Sequence, residues 1–210
     1  MSDFMYIARP ASAPRGGILV LHAWWGLNDF FKSFCNRLAA EGYFVLAPDL
    51  YYGEIAKTRA EAERLSQQKI RRDTTAKRIH FALEELKFEA DRKPLAMIGF
   101  SMGAYWGLWL VNEKPRDFAA SVMFYGARGS DYVKSKSAFL GHFAETDEFV
   151  AESSRKKMAT SLAGAARDVS FHIYPNTQHW FFENDRPEFQ AEAAELAWKR
   201  TVEFLMSHLG

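Results

Sequence analysis

Short apolar segments alternating with longer stretches of helical periodicity constrain this chain more than any other feature. The segments are Gly17–Leu21, Tyr43–Ala47, Leu95–Ile98, Ala120–Tyr125, Ala138–Phe143 and Val169–Tyr174. Most are apolar at every position instead of every second one. Strands read this way when helices cover both faces of a parallel sheet. A weaker edge strand is placed at Phe4–Ala8. Between the strands, Asn28 or Asp29 caps a helix that carries Phe30, Phe31, Phe34 and Leu38 and ends at Gly42. Thr58 to Lys87 puts Ala62, Leu65, Ile70, Ile79, Leu83 and Leu86 on one stripe, with a break near Asp73. Met102 to Val111 is apolar almost all round, so that helix belongs at the centre. A last helix carries Ala194, Ala197, Trp198, Val202 and Leu205. The expectation is an α/β fold with a mostly parallel central sheet and helices on both faces. Reactive groups in such sheets gather at the carboxyl ends of the strands.

The chain has 210 residues and no repeat or low-complexity linker, which suggests one domain over 1–210. At 48% apolar and 25% charged residues it is neither disordered nor fibrous. No apolar run approaches the ~18 residues of a membrane span, and the first residues lack a signal-peptide pattern. The net charge of +1 offers no field for nucleic acid or an anionic membrane. A lone cysteine, Cys35, excludes an intrachain disulfide and any multi-cysteine metal site. It lies in the Phe30–Ala40 helix and reads as a small buried hydrophobe. These features fit a soluble cytoplasmic protein, monomeric or a small homo-oligomer.

The sharpest local signal is Gly99-Phe100-Ser101-Met102-Gly103. Composition alone would place G-x-S-x-G about 0.05 times in this chain, so the context must carry the assignment. The motif follows the Leu95–Ile98 strand and opens the Met102–Val111 helix, as a nucleophile elbow requires. A serine hydroxyl is a weak nucleophile and needs a base that a third group orients. Elbow folds order these groups Ser, acid, His. Of the histidines after Ser101, His142 and His172 lie inside strands and His208 in the last helix. His179 sits in a loop just past the last strand, so it is the base. Asp147, after the Ala138–Phe143 strand, is the chosen acid, with Glu145 in reserve and Asp131 a distant third. An oxyanion hole needs backbone N–H donors. They are expected from Met102 and from Trp24, in the loop His22–Gly26.

Together these residues resemble the dienelactone hydrolase family of α/β-hydrolases. The carrying segments are His22–Asn28, Gly42–Tyr51, the elbow, His142–Asp147 and Tyr174–Phe181, in order along nearly the whole chain. The resemblance implies Ser101 as nucleophile, Asp147 as acid and His179 as base. Three departures stand out. The family's founding enzymes have cysteine where this chain has Ser101 and glutamate where it has Ala23. They also carry an arginine four residues after the histidine, where this chain has Glu183. A serine has no thiolate to manage, so losing cysteine and glutamate together is chemically coherent.

The expected activity is hydrolysis of small-molecule carboxylic esters or lactones, without metal or cofactor. The rivals are the same triad acting on amides or thioesters or in acyl transfer, and a non-catalytic binding or regulatory protein of the same fold. Trp25, Tyr51 and Trp180 are expected to line the pocket. With Glu183 they would form an aromatic, locally negative rim that favours neutral acyl groups. Arg71, Arg72 and Arg186 are the cations that could reach a substrate carboxylate.

Overall fold

The computed structural model describes residues 4–165 and 168–210. Seven strands form one sheet: β1 (Met5–Ala8), β2 (Gly17–Leu21), β3 (Phe44–Pro48), β4 (Leu95–Phe100), β5 (Ala120–Phe124), β6 (Ala138–Ala144) and β7 (Val169–Tyr174). Their order is β1-β3-β2-β4-β5-β6-β7. The edge strand β1 runs antiparallel to β3, and every other pair is parallel. Strands β2 to β6 are buried along their full length, which explains why both of their faces read as apolar.

The helices are α1 (Asp29–Ala40), α2 (Arg59–Lys69), α3 (Arg72–Glu89), α4 (Met102–Glu113), α5 (Glu152–Gly164) and α6 (Ala191–Leu209). On one face α1 meets α6 through Phe34 and Trp198, whose rings are 5.7 Å apart. On the other, His80 of α3 and Trp109 of α4 lie 5.3 Å apart. This is the α/β-hydrolase arrangement. Asn28 starts α1, its side chain accepting from the Phe31 amide, and Thr58 and Glu61 form a reciprocal capping box on α2.

The expected break and one missed helix both have local causes. The Thr58–Lys87 stretch breaks at Ile70 and Arg71, just before Asp73, because Ile70 leaves helical geometry (ψ 89°) and Arg71 is extended. Helix α5 was not anticipated. It buries only Met158 and Leu162, too few for a visible stripe.

The topology also says where chemistry belongs. The chain leaves β2 for β3 on one side, then returns to β4 on the other. The carboxyl ends of β2 and β4 are therefore neighbours at the point where strand order reverses, which is where open α/β sheets hold their ligands.

Candidate active site

Ser101 occupies the sharp turn between β4 and α4, with φ 50° and ψ −111°. Such a conformation costs a non-glycine residue about 1–3 kcal/mol and persists only where surroundings enforce it. Here the Ser101 amide donates to Phe124 O at 2.9 Å, tying the turn to β5. The two motif glycines have steric reasons. A Cβ on Gly99 would lie 2.6 Å from Ala104 Cα, and one on Gly103 would lie 2.1 Å from Leu21 O. Helix α4 thus starts in direct contact with the end of β2.

The structure brings Ser101, His179 and Asp147 together. His179 stands in the loop after β7, with Nε2 2.8 Å from Ser101 Oγ. Its Nδ1 lies 2.9 and 2.8 Å from the two Asp147 oxygens. Asp147 Oδ1 also accepts the amides of Phe149 and Val150, both at 2.9 Å. Three donors converge on that carboxylate, so the proton sits on His179 Nδ1, and Nε2 is left to accept from the serine. Glu145 is exposed and accepts from the Asn176 amide at 2.9 Å, which shapes the neighbouring turn. Asp131 is exposed beyond β5.

Met102 is the first residue of α4, so its amide has no intrahelical acceptor. Trp24 lies in the turn after β2, against which α4 starts. Among the described residues neither amide donates to a backbone carbonyl.

The aromatic surroundings depart from the expected pocket. Trp25, Tyr51 and Trp180 are all buried, and Trp180 turns part of its ring to a small cavity beside His179. Trp25 packs edge-on against Trp180 at 5.0 Å, and the Tyr51 hydroxyl donates to Met102 Sδ at 3.6 Å. Their bulk completes the core beneath the loops. Sequence reasoning missed Phe149, an exposed ring 4.8 Å from His179 and 6.0 Å from Trp24. It also missed Tyr125, which leaves β5 with φ 37° and places its ring 4.8 Å from His179. A cavity of about 90 Å³, lined by Thr146, Glu148, Gln178, His179, Trp180 and Glu188, flanks the histidine.

The cations also differ from expectation. Arg71 and Arg72 are exposed at the start of α3. Arg186 pairs with Asp185 at 2.9 Å and lies over the Trp25 ring. Arg59, at the start of α2, stands over Trp180 at 5.1 Å and Phe149 at 5.8 Å. It is paired with Glu148 at 2.9 Å and Glu188 at 3.5 Å.

A family model described as the dienelactone hydrolase family matches residues 5–209. The chain belongs to that family. A protein of Azospirillum brasilense, provisionally named a carboxymethylenebutenolidase, is 28% identical over 98% of this chain and 93% of its own length. Protein usf of Aquifex pyrophilus is 29% identical over 97% of this chain and 93% of its own. Among solved structures, a dienelactone hydrolase-like promiscuous phosphotriesterase from metagenomic libraries superposes with a TM-score of 0.82. It is 21% identical and covers 99% of this chain and 100% of its own. The chain is therefore a hydrolase of dienelactone hydrolase type. No helix among the described residues is long and apolar enough to cross a membrane.

Where the resemblance to this dienelactone hydrolase family puts an arginine, Glu183 is completely buried, and this corrects the expected negative rim. Its Oε1 pairs with the Tyr125 hydroxyl at 2.7 Å. Burial pushes its carboxyl up from the ordinary 4.5 to about 8, against a smaller lowering by the Tyr125 hydrogen bond. It is therefore neutral at pH 7 and adds no charge to the site. The folded state keeps this proton where the unfolded chain has already lost it. The resulting stability is complete below the unfolded value and is lost as pH rises from there to about 8. Glu183→Gln, which cannot ionise, should gain on wild type across that window by up to about 1.4 kcal/mol per pH unit. Denaturant unfolding of both proteins between pH 5 and 8.5 checks this. Stability curves that stay parallel over the whole range would contradict a buried, proton-holding Glu183.

Proposed function

We propose that the protein is a serine hydrolase that cleaves carboxylic esters or lactones through an acyl-enzyme. The observation that carries the reading is the unbroken line Asp147–His179–Ser101, with the serine on a strained elbow. Ser101 Oγ attacks the carbonyl carbon while His179 Nε2 takes its proton, and the carbonyl oxygen becomes an oxyanion. The Met102 and Trp24 amides donate to that oxyanion. His179 returns the proton to the leaving alkoxide as the tetrahedral intermediate collapses to the acyl-enzyme. In a lactone the leaving oxygen stays tethered to the acyl group. Water, deprotonated by His179, then attacks the ester of Ser101 and releases the acid. Asp147 holds the imidazole in the required tautomer and stabilises its protonated form.

Two features support serine chemistry over thiol chemistry. Position 23, where the founding enzymes carry glutamate, is alanine, so it offers no carboxylate to control a thiol's ionisation. Cys35 is buried inside α1, and burial pushes its thiol up, away from the reactive thiolate. Iodoacetamide should therefore leave activity intact. Rapid inactivation that substrate prevents would place Cys35 in the site.

The test of the function is a panel of aryl esters and lactones of varied acyl length and charge, run on wild type and Ser101→Ala together. Turnover of at least one ester or lactone, absent in the variant, is expected. A wild type inert across the panel and unreactive toward a fluorophosphonate would sink the reading.

A further inference from the structure

The segment that ends β2 carries a buried group that the proposed reaction leaves unused. His22 is wholly inaccessible, and its Nε2 lies 3.0 Å from the Leu50 amide nitrogen, which can only donate. Nε2 is therefore the bare nitrogen, and the ring proton sits on Nδ1, 2.7 Å from Ala23 O. Burial lowers the proton affinity of this ring, which keeps it neutral in that one tautomer. Leu50 is itself held in the turn after β3, where the Asp49 carboxylate accepts the amides of Tyr51 and Gly53. A line of donors thus runs from the β3 turn through His22 to the Ala23 carbonyl.

That carbonyl shares a peptide plane with the Trp24 amide. In a trans peptide C=O and N–H point in opposite directions, so fixing one fixes the other. The Gly26 amide also donates to Ala23 O, at a longer 3.3 Å. The close approach of Gly103 to Leu21 O and His22 O sets the first turn of α4, with the Met102 amide, against this same segment.

We infer that His22 is a positioning residue for hydrolysis: its Nδ1–H locks the Ala23–Trp24 peptide so that the Trp24 amide faces the developing oxyanion beside that of Met102. The inference rests on the serine hydrolase reading. A donor held in place before charge develops needs no reorganisation during reaction, so its effect falls on kcat and spares KM.

Two substitutions separate this role from plain structural support. The amide nitrogen of asparagine can take the place of Nδ1, whereas the amide oxygen of glutamine can take that of Nε2. His22→Asn should keep the Ala23 contact and lose the one to Leu50. It should melt at a lower temperature yet hold kcat within about fivefold of wild type. His22→Gln should do the reverse, melting closer to wild type while kcat falls about 10²-fold and KM stays within about threefold. Its affinity for an arylboronic acid, which forms a tetrahedral adduct on serine, should fall by a similar factor. Full activity in His22→Gln, or loss of kcat in both variants in step with melting temperature, overturns the role of His22. An inert, unlabelled wild type overturns the hydrolase reading and this inference with it.

Discussion

Ser101→Ala is expected to lower kcat by roughly 10⁵–10⁶-fold while leaving the protein folded. In a triad the members act as a unit, so removing the nucleophile costs nearly as much as removing all three. What remains is the background supplied by the oxyanion donors and by substrate binding. The structural cost is small by comparison. Ser101 is half-buried, and its side chain contributes one hydrogen bond, to His179. Losing a bond of that kind costs about 1 kcal/mol, which for a chain of this length lowers the melting temperature by about 2–4 °C. Steady-state kinetics beside a thermal melt separates the two effects. A variant that keeps even a hundredth of wild-type kcat would show that another group makes the covalent bond.

The second large effect concerns Asp147. Its Oδ1 already accepts two backbone amides, and both oxygens lie within hydrogen-bond distance of His179 Nδ1. Asparagine brings an NH₂ group into a place built entirely for acceptance. Either that group faces the amides of Phe149 and Val150, donor against donor, or it faces His179. In the latter orientation Nδ1 must accept, and the ring proton moves to Nε2. Nε2–H then points at Ser101 and cannot take its proton. The known cost of this wrong tautomer in a serine protease is about 10⁴ in kcat, and Asp147→Asn should approach it. Glu145→Gln should stay within about threefold of wild type, since Glu145 is engaged with the Asn176 amide. The opposite pattern, with Asp147→Asn active and Glu145→Gln dead, would reassign the acid.

The elbow was legible in the sequence because its requirements are local. A buried strand, two glycines flanking x-Ser-x and an apolar helix occupy consecutive residues, and each glycine proves to stand where a Cβ would collide with backbone. The placement of His179 beside Ser101 and Asp147 was legible by position, since it follows a strand and His142 lies within one. His142 is instead a satisfied core histidine between the Tyr174 hydroxyl at 2.8 Å and Thr201 Oγ1 at 3.0 Å. The misreadings involve properties that distant segments decide. Glu183 looks like a surface charge in sequence. It becomes a neutral core carboxyl only because the loop after His179 folds inward onto Tyr125, 58 residues away. Trp25 looks like a pocket wall, yet it packs beneath the site against Trp180, whose buried ring lines the cavity beside the histidine, and Phe149 takes the exposed place there. Likewise, the tautomer of His22 depends on the Leu50 amide of a neighbouring strand's turn, which no local pattern reveals.

The central claim is that covalent chemistry takes place on Ser101, and one measurement addresses it directly. Wild-type protein is treated with a fluorophosphonate until activity is lost, and the adduct is located by intact-mass and peptide mass spectrometry. One adduct per chain, on the peptide that carries Ser101 and missing from Ser101→Ala, is the predicted result. A stoichiometric adduct on any other residue, or full ester turnover in Ser101→Ala, would contradict it.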